Sequence, residues 1–184
     1  MKVAILCEFS GIVRDAFLSA GHDTISCDLE PTERPGPHIQ GDCREYDWSR
    51  YDLVIAHPPC THTACSGARW FSEKKKDGRQ KKAIEFFMWF TRLENKRIVI
   101  EHPISIMSTL YRKPDQIIQP WQFGHEEKKA ICLWLKGVKK LEPTKIMKKR
   151  FSRIHYMGSS KKNRSRERSR FFPGIAKAMT EQWF

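Results

Sequence analysis

Two short stretches of this 184-residue chain gather side chains that can do chemistry. The first, AHPPCTHTACSGARWF at residues 56–71, places His57, Cys60, His62 and Cys65 within nine residues; the second is IEHP at 100–103. A structural metal centre usually draws on two separated clusters of tightly spaced ligands. Here a second cluster is missing and Cys60 and His62 are too close for a usual pair, so no metal is expected. A nucleophile fits better. Pro58 and Pro59 fix an extended backbone and present Cys60 stiffly, where a thiolate can add to an electrophilic ring carbon if an acid activates the ring. Glu101 is placed to be that acid, because a partly buried carboxyl can stay protonated and donate to a ring nitrogen. Taken singly, each residue also has a bland reading, as a buried cysteine or as an ordinary strand-end acid.

The surrounding pattern predicts the elements that hold these groups. Short apolar runs at 3–7, 24–28, 51–56 and 97–100 read as buried strands, with a further strand at 131–135. Residues 12–20 and 80–93 carry helical periodicity, the latter apolar on most sides and expected to be well buried, and 174–182 reads as a closing helix. Residues 30–41, with three prolines, are expected to form a loop. Strands alternating with helices predict an α/β fold, Rossmann-like, with a mostly parallel sheet covered on both faces. Ligands in such sheets bind beyond the carboxyl ends of the strands, where the turn at 8–11, Asp28, Cys60 and Glu101 converge.

The turn Glu8, Phe9, Ser10 and Gly11 has one glycine and no GxGxxG fingerprint, so a pyrophosphate is not indicated. Asp28, followed by Leu29, is placed to accept the two ribose hydroxyls of an adenosine, and Asp42 a hydrogen bond from an adenine amino group. That combination suits S-adenosylmethionine, whose sulfonium tolerates a carboxylate such as Glu8. For each acid, a solvated strand end is the alternative.

These motifs resemble those of the cytosine carbon-5 DNA methyltransferases: FSG after the first strand, DL at 28–29, GD at 41–42, PPC at 58–60 and IEHP at 100–103, in that order. The likeness covers residues 3–103 well, and PPC is its specific element. The whole chain also looks like small phage-borne proteins of that class, which share SGARW at 66–70 and FPGIA at 172–176. The resemblance implies a single methyltransferase domain over 1–184, S-adenosylmethionine as cofactor bound by Glu8–Gly11, Asp28, Leu29, Asp42 and Pro58, attack of Cys60 on cytosine carbon 6, and Glu101 on ring nitrogen 3. The base would have to be extruded from a duplex. Residues 61–78 would then be a mobile loop, with Ser66, Arg69 and Trp70 touching the nucleic acid; packing of Arg69 and Trp70 on the core is the alternative. The chain departs from the family at His102, where an asparagine is usual, and in lacking the Gln-x-Arg-x-Arg element. Lys128 or Lys129 is the nearest source of that positive charge, without arginine's planar fork.

Composition limits the remaining choices. Apolar residues at 40%, with eleven phenylalanines and six tryptophans, supply a core, and no apolar run is long enough for a membrane span or a signal peptide. Six scattered cysteines do not resemble a secreted disulfide framework, so a reducing cytoplasm is expected, that of a bacterial host if the protein is phage-borne. Of the formal charge of +13, most lies between 145 and 170, where eleven basic residues face the single acid Glu167. A polyanion is the expected partner, with Lys161, Lys162, Arg164 and Arg166 on phosphates; a solubilising segment is the alternative. The basic segment 141–170 is too small for a full target-recognition domain. Three readings follow: methylation of cytosine in DNA, the same chemistry on RNA or a free nucleotide, and a silent protein that binds nucleic acid or methyl donor.

Overall fold

The computed structural model describes residues 1–152 and 164–184. Seven strands form one sheet: β1 (Lys2–Leu6), β2 (Asp23–Asp28), β3 (His38–Gln40), β4 (Leu53–Ala56), β5 (Arg97–Pro103), β6 (Gln116–Ile118) and β7 (Ile131–Lys136), in the spatial order β3-β2-β1-β4-β5-β7-β6. The first five run parallel; β7 is antiparallel to both β5 and β6. The order reverses at β1, so β1 and β4 flank the switch point at which such sheets open a crevice beyond their carboxyl ends.

The two-residue alternation of the strands divides the core. Val3, Ile5, Leu53, Ile55, Val99, Ile131 and Leu133 face α1 (Ile12–Ser19) and the closing helix Pro173–Gln182. Their neighbours Ala4, Leu6, Val54, Ala56, Ile98, Ile100, Cys132 and Trp134 pack with Phe87 and Phe90 of α3 (Arg79–Thr91). Both faces are covered, so the interior strands can read as continuous apolar runs.

The structure departs from the sequence-based expectations in several places. Residues 38–40, expected within a loop, pair with Ser26–Asp28 as β3. β5 does not stop at Glu101, because Glu101, His102 and Pro103 find partners in Leu133, Cys132 and Ile131 of the antiparallel β7. A polar run ends a strand only where no neighbour receives it. In α3 just Phe87 and Phe90 are fully buried among the six apolar residues expected inside; Ile84, Phe86, Met88 and Leu93 lie half-buried at its margin. Residues 61–78, expected as a loop, contain a 3₁₀ turn at Cys65–Trp70 and the helix α2 (Phe71–Lys76). A further short helix, α4 (Met107–Leu110), follows β5. No helix among the described residues is long and apolar enough to cross a membrane.

The C-terminal segment closes the carboxyl edge of the sheet. Pro173 starts the closing helix, where its missing N–H loses nothing, and a Cβ at Gly174 would collide with the Phe123 carbonyl, so only glycine permits this close approach. Just before it, the short helix Arg164–Ser169 is fastened to the loop after β2. Arg166 Nε donates to Glu33 Oε1 at 2.7 Å, Arg170 Nε to Glu33 Oε2 at 2.8 Å, and the Arg166 guanidinium lies 4.8 Å from the Phe9 ring centroid. Arg170, ahead of the opposing effect of burial, and then Arg166 hold the Glu33 carboxyl below its ordinary range. A depressed carboxylate stabilises the fold above its unfolded pKa and loses that contribution as pH falls through the folded value. Glu33→Gln is therefore expected to lower the melting temperature by about 2–4 °C at neutral pH, as for the loss of about 1 kcal/mol from an exposed cluster. The gap from wild type should close in acid below the usual glutamate range; a gap independent of pH would show that the clamp contributes no charge-based stability.

Candidate active site

The turn after β1 is built around a carboxylate. Cys7 has a φ of 59°, the only positive value at a non-glycine residue among those described, and Gly11 follows at 70°. This reversal folds Glu8 back on α1. Glu8 is 4% exposed, and its carboxylate accepts from Val13 N at 2.7 Å, Arg14 N at 3.2 Å and Ser10 Oγ at 3.1 Å. It thus fills the anion position at the helix N-terminus that a phosphate takes in dinucleotide sites. Glu8, expected from sequence at the cofactor edge, is the residue that shapes the turn. Arg14, unexpected from sequence, is fully buried. It donates to Thr32 Oγ1, Ser26 Oγ and the carbonyls of Arg34 and Pro35, tying α1 to β2 and the loop beyond Asp28.

Two neighbouring strands bring the chemical residues together. Ala56 pairs with Ile100, so the next residues, His57 and Glu101, continue the register on the face shared with Ile55 and Val99. His57 Nδ1 lies 3.1 Å from Glu101 Oε2, with 11% and 13% of the two side chains exposed, and the His57 ring packs against Phe171 at 4.9 Å. Pro58 is buried, Pro59 exposed, and Cys60 follows half-buried. The Cys60 carbonyl accepts from Thr63 N and Ala64 N, closing a turn.

That turn is then stitched to the chain beyond β5: Cys65 N donates to Ile104 O, and Ile106 N to Thr63 O. Thr63 Oγ1 lies 2.8 Å from His102 Nε2, so His102 ties the cysteine loop to β5. Lys74 Nζ donates to Thr61 O at 2.6 Å and Gln80 Nε2 to His62 O at 3.1 Å, anchoring the loop to α2 and α3.

Electrostatics set the resting state. Burial pushes the Glu101 carboxyl up, but the His57 hydrogen bond and then the positive potentials of His57 and Lys129 outweigh it, leaving the carboxyl below its ordinary range. This corrects the expectation of a resting protonated acid: partners at hydrogen-bond distance overcome desolvation. Burial, then the Glu101 charge, push the Cys60 thiol up; Lys129 and Arg168 oppose them without prevailing. His102 is pushed down to about 4, chiefly by burial, and so is neutral at physiological pH.

Of the other residues singled out from sequence, Asp28 lies half-buried at the end of β2, its Oδ1 accepting Glu30 N at 2.9 Å, and Leu29 beside it is 71% exposed. Desolvation raises the Asp28 carboxyl. Asp42 caps the turn at Cys43–Glu45 and is held by Arg44 through both oxygens, which differs from the open acceptor expected. Ser66, Arg69 and Trp70 stand on the surface with Arg69 over the Trp70 ring, against the core-packed alternative. Lys128 is exposed, whereas Lys129 is half-buried, its Nζ donating to Arg168 O at 2.9 Å. Lys129, Arg168, Arg170, Ile12, Phe171 and Phe172 help line a cleft of about 340 Å³. Arg166 is paired with Glu33. Lys161 and Lys162 lie outside the described residues, as does the side chain of Arg164.

Comparison with solved structures finds the Entamoeba histolytica methyltransferase EhMeth, at 14% identity and a TM-score of 0.53, covering 89% of this chain and 61% of that one. The S. pombe Dnmt2 methyltransferase matches at 15% identity and a TM-score of 0.45, covering 76% and 50%. The chain thus spans less than two thirds of the length of either. No family model and no curated protein matches the sequence. With the sheet order, the first of these likenesses shows a Rossmann-like α/β fold shared with a methyltransferase structure.

A histidine depressed in the folded state resists protonation there but not in the unfolded chain, so stability falls as pH drops from the ordinary value of 6.5 toward about 4. His102→Asn is expected to flatten that part of the urea-midpoint profile relative to wild type. Parallel profiles for the two proteins would remove His102 as the acid-sensitive joint.

Proposed function

We propose that this protein transfers a methyl group from S-adenosylmethionine to carbon 5 of cytosine in DNA, through a covalent adduct at Cys60. The observation that carries this reading is the convergence of Cys60 and Glu101 at the carboxyl ends of adjacent parallel strands, joined by the His57 and His102 contacts. The cofactor end fits an adenosine without phosphates. Glu8 already fills the α1 anion position, and Asp28 offers a half-buried carboxylate whose Oδ2 has no hydrogen bond among the described residues. Asp28 would hold the ribose, while Phe9, Gly11, Leu29 and Pro58 line the adjoining edge; when bound, the cofactor supplies an electrophilic methyl group.

The chain's own residues do the rest. Cys60, its thiol proton lost to water, bonds carbon 6 of an extruded base through Sγ as Glu101 in its protonated form gives a proton to ring nitrogen 3, which moves the electron pair of the 5,6 double bond toward carbon 5. After carbon 5 is methylated, loss of its proton restores the double bond and breaks the carbon–sulfur bond, returning the thiolate. The positive potential of nearby Lys129 favours the anionic sulfur. Lys128, Ser66, Arg69, Trp70 and the basic segment are assigned to the nucleic-acid backbone, which makes binding salt-sensitive.

The same chemistry on RNA or a free cytosine nucleotide is the second reading. It is favoured by the described part of the basic segment, which lies along residues 121–128 through pairings such as Lys145 N to Gln122 O and leaves little chain for reading base edges. Tritiated methyl donor incubated with duplex DNA, RNA or cytosine nucleotides separates the two; label in none would sink both. Cys60→Ser is expected to abolish transfer while leaving cofactor affinity within about twofold, because hydroxyl and thiol have similar size but not nucleophilicity. Retained turnover in Cys60→Ser would exclude the covalent route.

A further inference from the structure

The histidine that precedes Pro58 is not needed to present the thiol, yet it occupies the most constrained position in the site. Its backbone N donates to Leu6 O at 2.9 Å, its ring leans on Phe171, and Nδ1 meets Glu101 Oε2. The opposite ring nitrogen, Nε2, is buried and has no hydrogen-bond partner among the described residues. A buried imidazole nitrogen without a partner is unfavourable in its protonated form, since an N–H there has nothing to replace water.

We infer that His57 is a positioning residue for Glu101: it holds Oε2, turns Oε1 toward the substrate, and shares one exchangeable proton with the carboxyl. The inference deepens the cysteine and acid reading proposed above and rests on it. With Nδ1–H donated to Oε2, a second proton has two places in the pair. It sits on Nε2, giving imidazolium and carboxylate, or on Oε1, giving neutral imidazole and carboxylic acid. The proton count is the same in both, so the pair passes between them without another reactant. A ring nitrogen brought to Oε1 is an acceptor and favours the second form. The Oε1 proton then goes to the base as the carbon–sulfur bond forms, and returns when that bond breaks.

The groups around the pair agree with this division. From the segment before β7 comes Lys129; from β7, Cys132, whose thiol burial pushes up to about 11 and so keeps uncharged; from β5 itself, His102, neutral above about pH 4. Cys60 on the same loop is a thiol at rest, Arg168 lies on its side, and Phe171 is apolar. His57 is therefore the group in hydrogen-bond contact with the carboxylate that can also exchange a proton with it.

The test uses the cofactor-free full chain with ¹³C-labelled glutamate, the Glu101 carboxyl signal being identified by its loss in Glu101→Gln. In His57→Asn, whose amide can still donate to Oε2, and in His57→Leu, which cannot, the Glu101 ionisation midpoint is expected to rise by about one pH unit or more. In methyl transfer, kcat should fall about 10- to 100-fold in His57→Leu with KM for the cytosine substrate little changed, and His57→Asn should recover part of the loss. The pH limb that reports Glu101 should move with the NMR midpoint in both variants. A dispersed spectrum in each variant certifies the fold. An unmoved Glu101 midpoint would overturn the assignment of His57 whatever the activity. A wild type that labels no cytosine substrate while the midpoint moves would instead overturn the functional reading and leave the coupled pair in place.

Discussion

A carboxylate taken out of water must be given a partner, and the carboxyl edge of this sheet is arranged around that requirement at Glu101. An unpaired buried charge is unfavourable by several kcal/mol or more, roughly the scale of a domain's whole stability. Because β5 outruns β4 and continues along β7, Glu101 is held within a ladder and cannot swing out to solvent. The parallel register of β4 and β5 then sets His57 beside it, and Phe171, delivered by the C-terminal segment, covers the imidazole. Residues from three distant parts of the chain are fixed by one desolvated charge. The docking of the C-terminal segment is thus part of the site's construction and not only a cover for the core.

A second buried carboxylate decides what the other half of the edge can accept. Glu8 takes two amides at the head of α1, leaving that helix terminus without free affinity for a phosphate. In dinucleotide sites a glycine-rich turn performs the opposite task, clearing the helix terminus so that pyrophosphate can approach. The single glycine here follows from the same logic. Gly11 supplies a left-handed turn, and a Cβ there would press to 2.5 Å on Arg14 Nη2, the buried cation that ties down the loop beyond Asp28. A turn that satisfies its own amides in this way leaves the head of α1 with no free anion site for a phosphate.

Much of this was legible in the sequence because strand and helix periods are local. The apolar runs at 3–7 and 51–56, the stripe at 12–20 and the closing helix were placed within a few residues, and so was the convergence of Cys60 and Glu101 on one edge. What was not legible depends on partners far away in sequence. The extent of β5 is decided by β7, some thirty residues later, and β3 exists because β2 offers it an edge. Arg14 left a faint signal, since it falls on the same helical face as Phe17, where an apolar residue would be expected. Lys74 left none, for its burial follows from reaching the Thr61 carbonyl. The resting charge of Glu101 was misjudged because burial was weighed without His57, and only strand register reveals that contact.

Cys60 and Glu101 are two acids in one dry site, and each opposes ionisation of the other. While Glu101 is a carboxylate, its charge helps keep the Cys60 proton in place, and the thiol is a poor nucleophile. Neutralising Glu101 removes that repulsion and leaves Lys129 and Arg168 to favour the thiolate. Under the proposed reaction, Glu101 is neutralised by taking up a proton as a ring nitrogen is brought to Oε1, before it passes that proton on, so the nucleophile is released by the same contact that prepares carbon 6 for attack. Indiscriminate reactivity of Cys60 is thereby suppressed in the empty site, and activation of ring and thiol becomes one step. The geometry that enforces this coupling is modest: one register between two parallel strands, two prolines, and a histidine placed between a carboxylate and a phenyl ring.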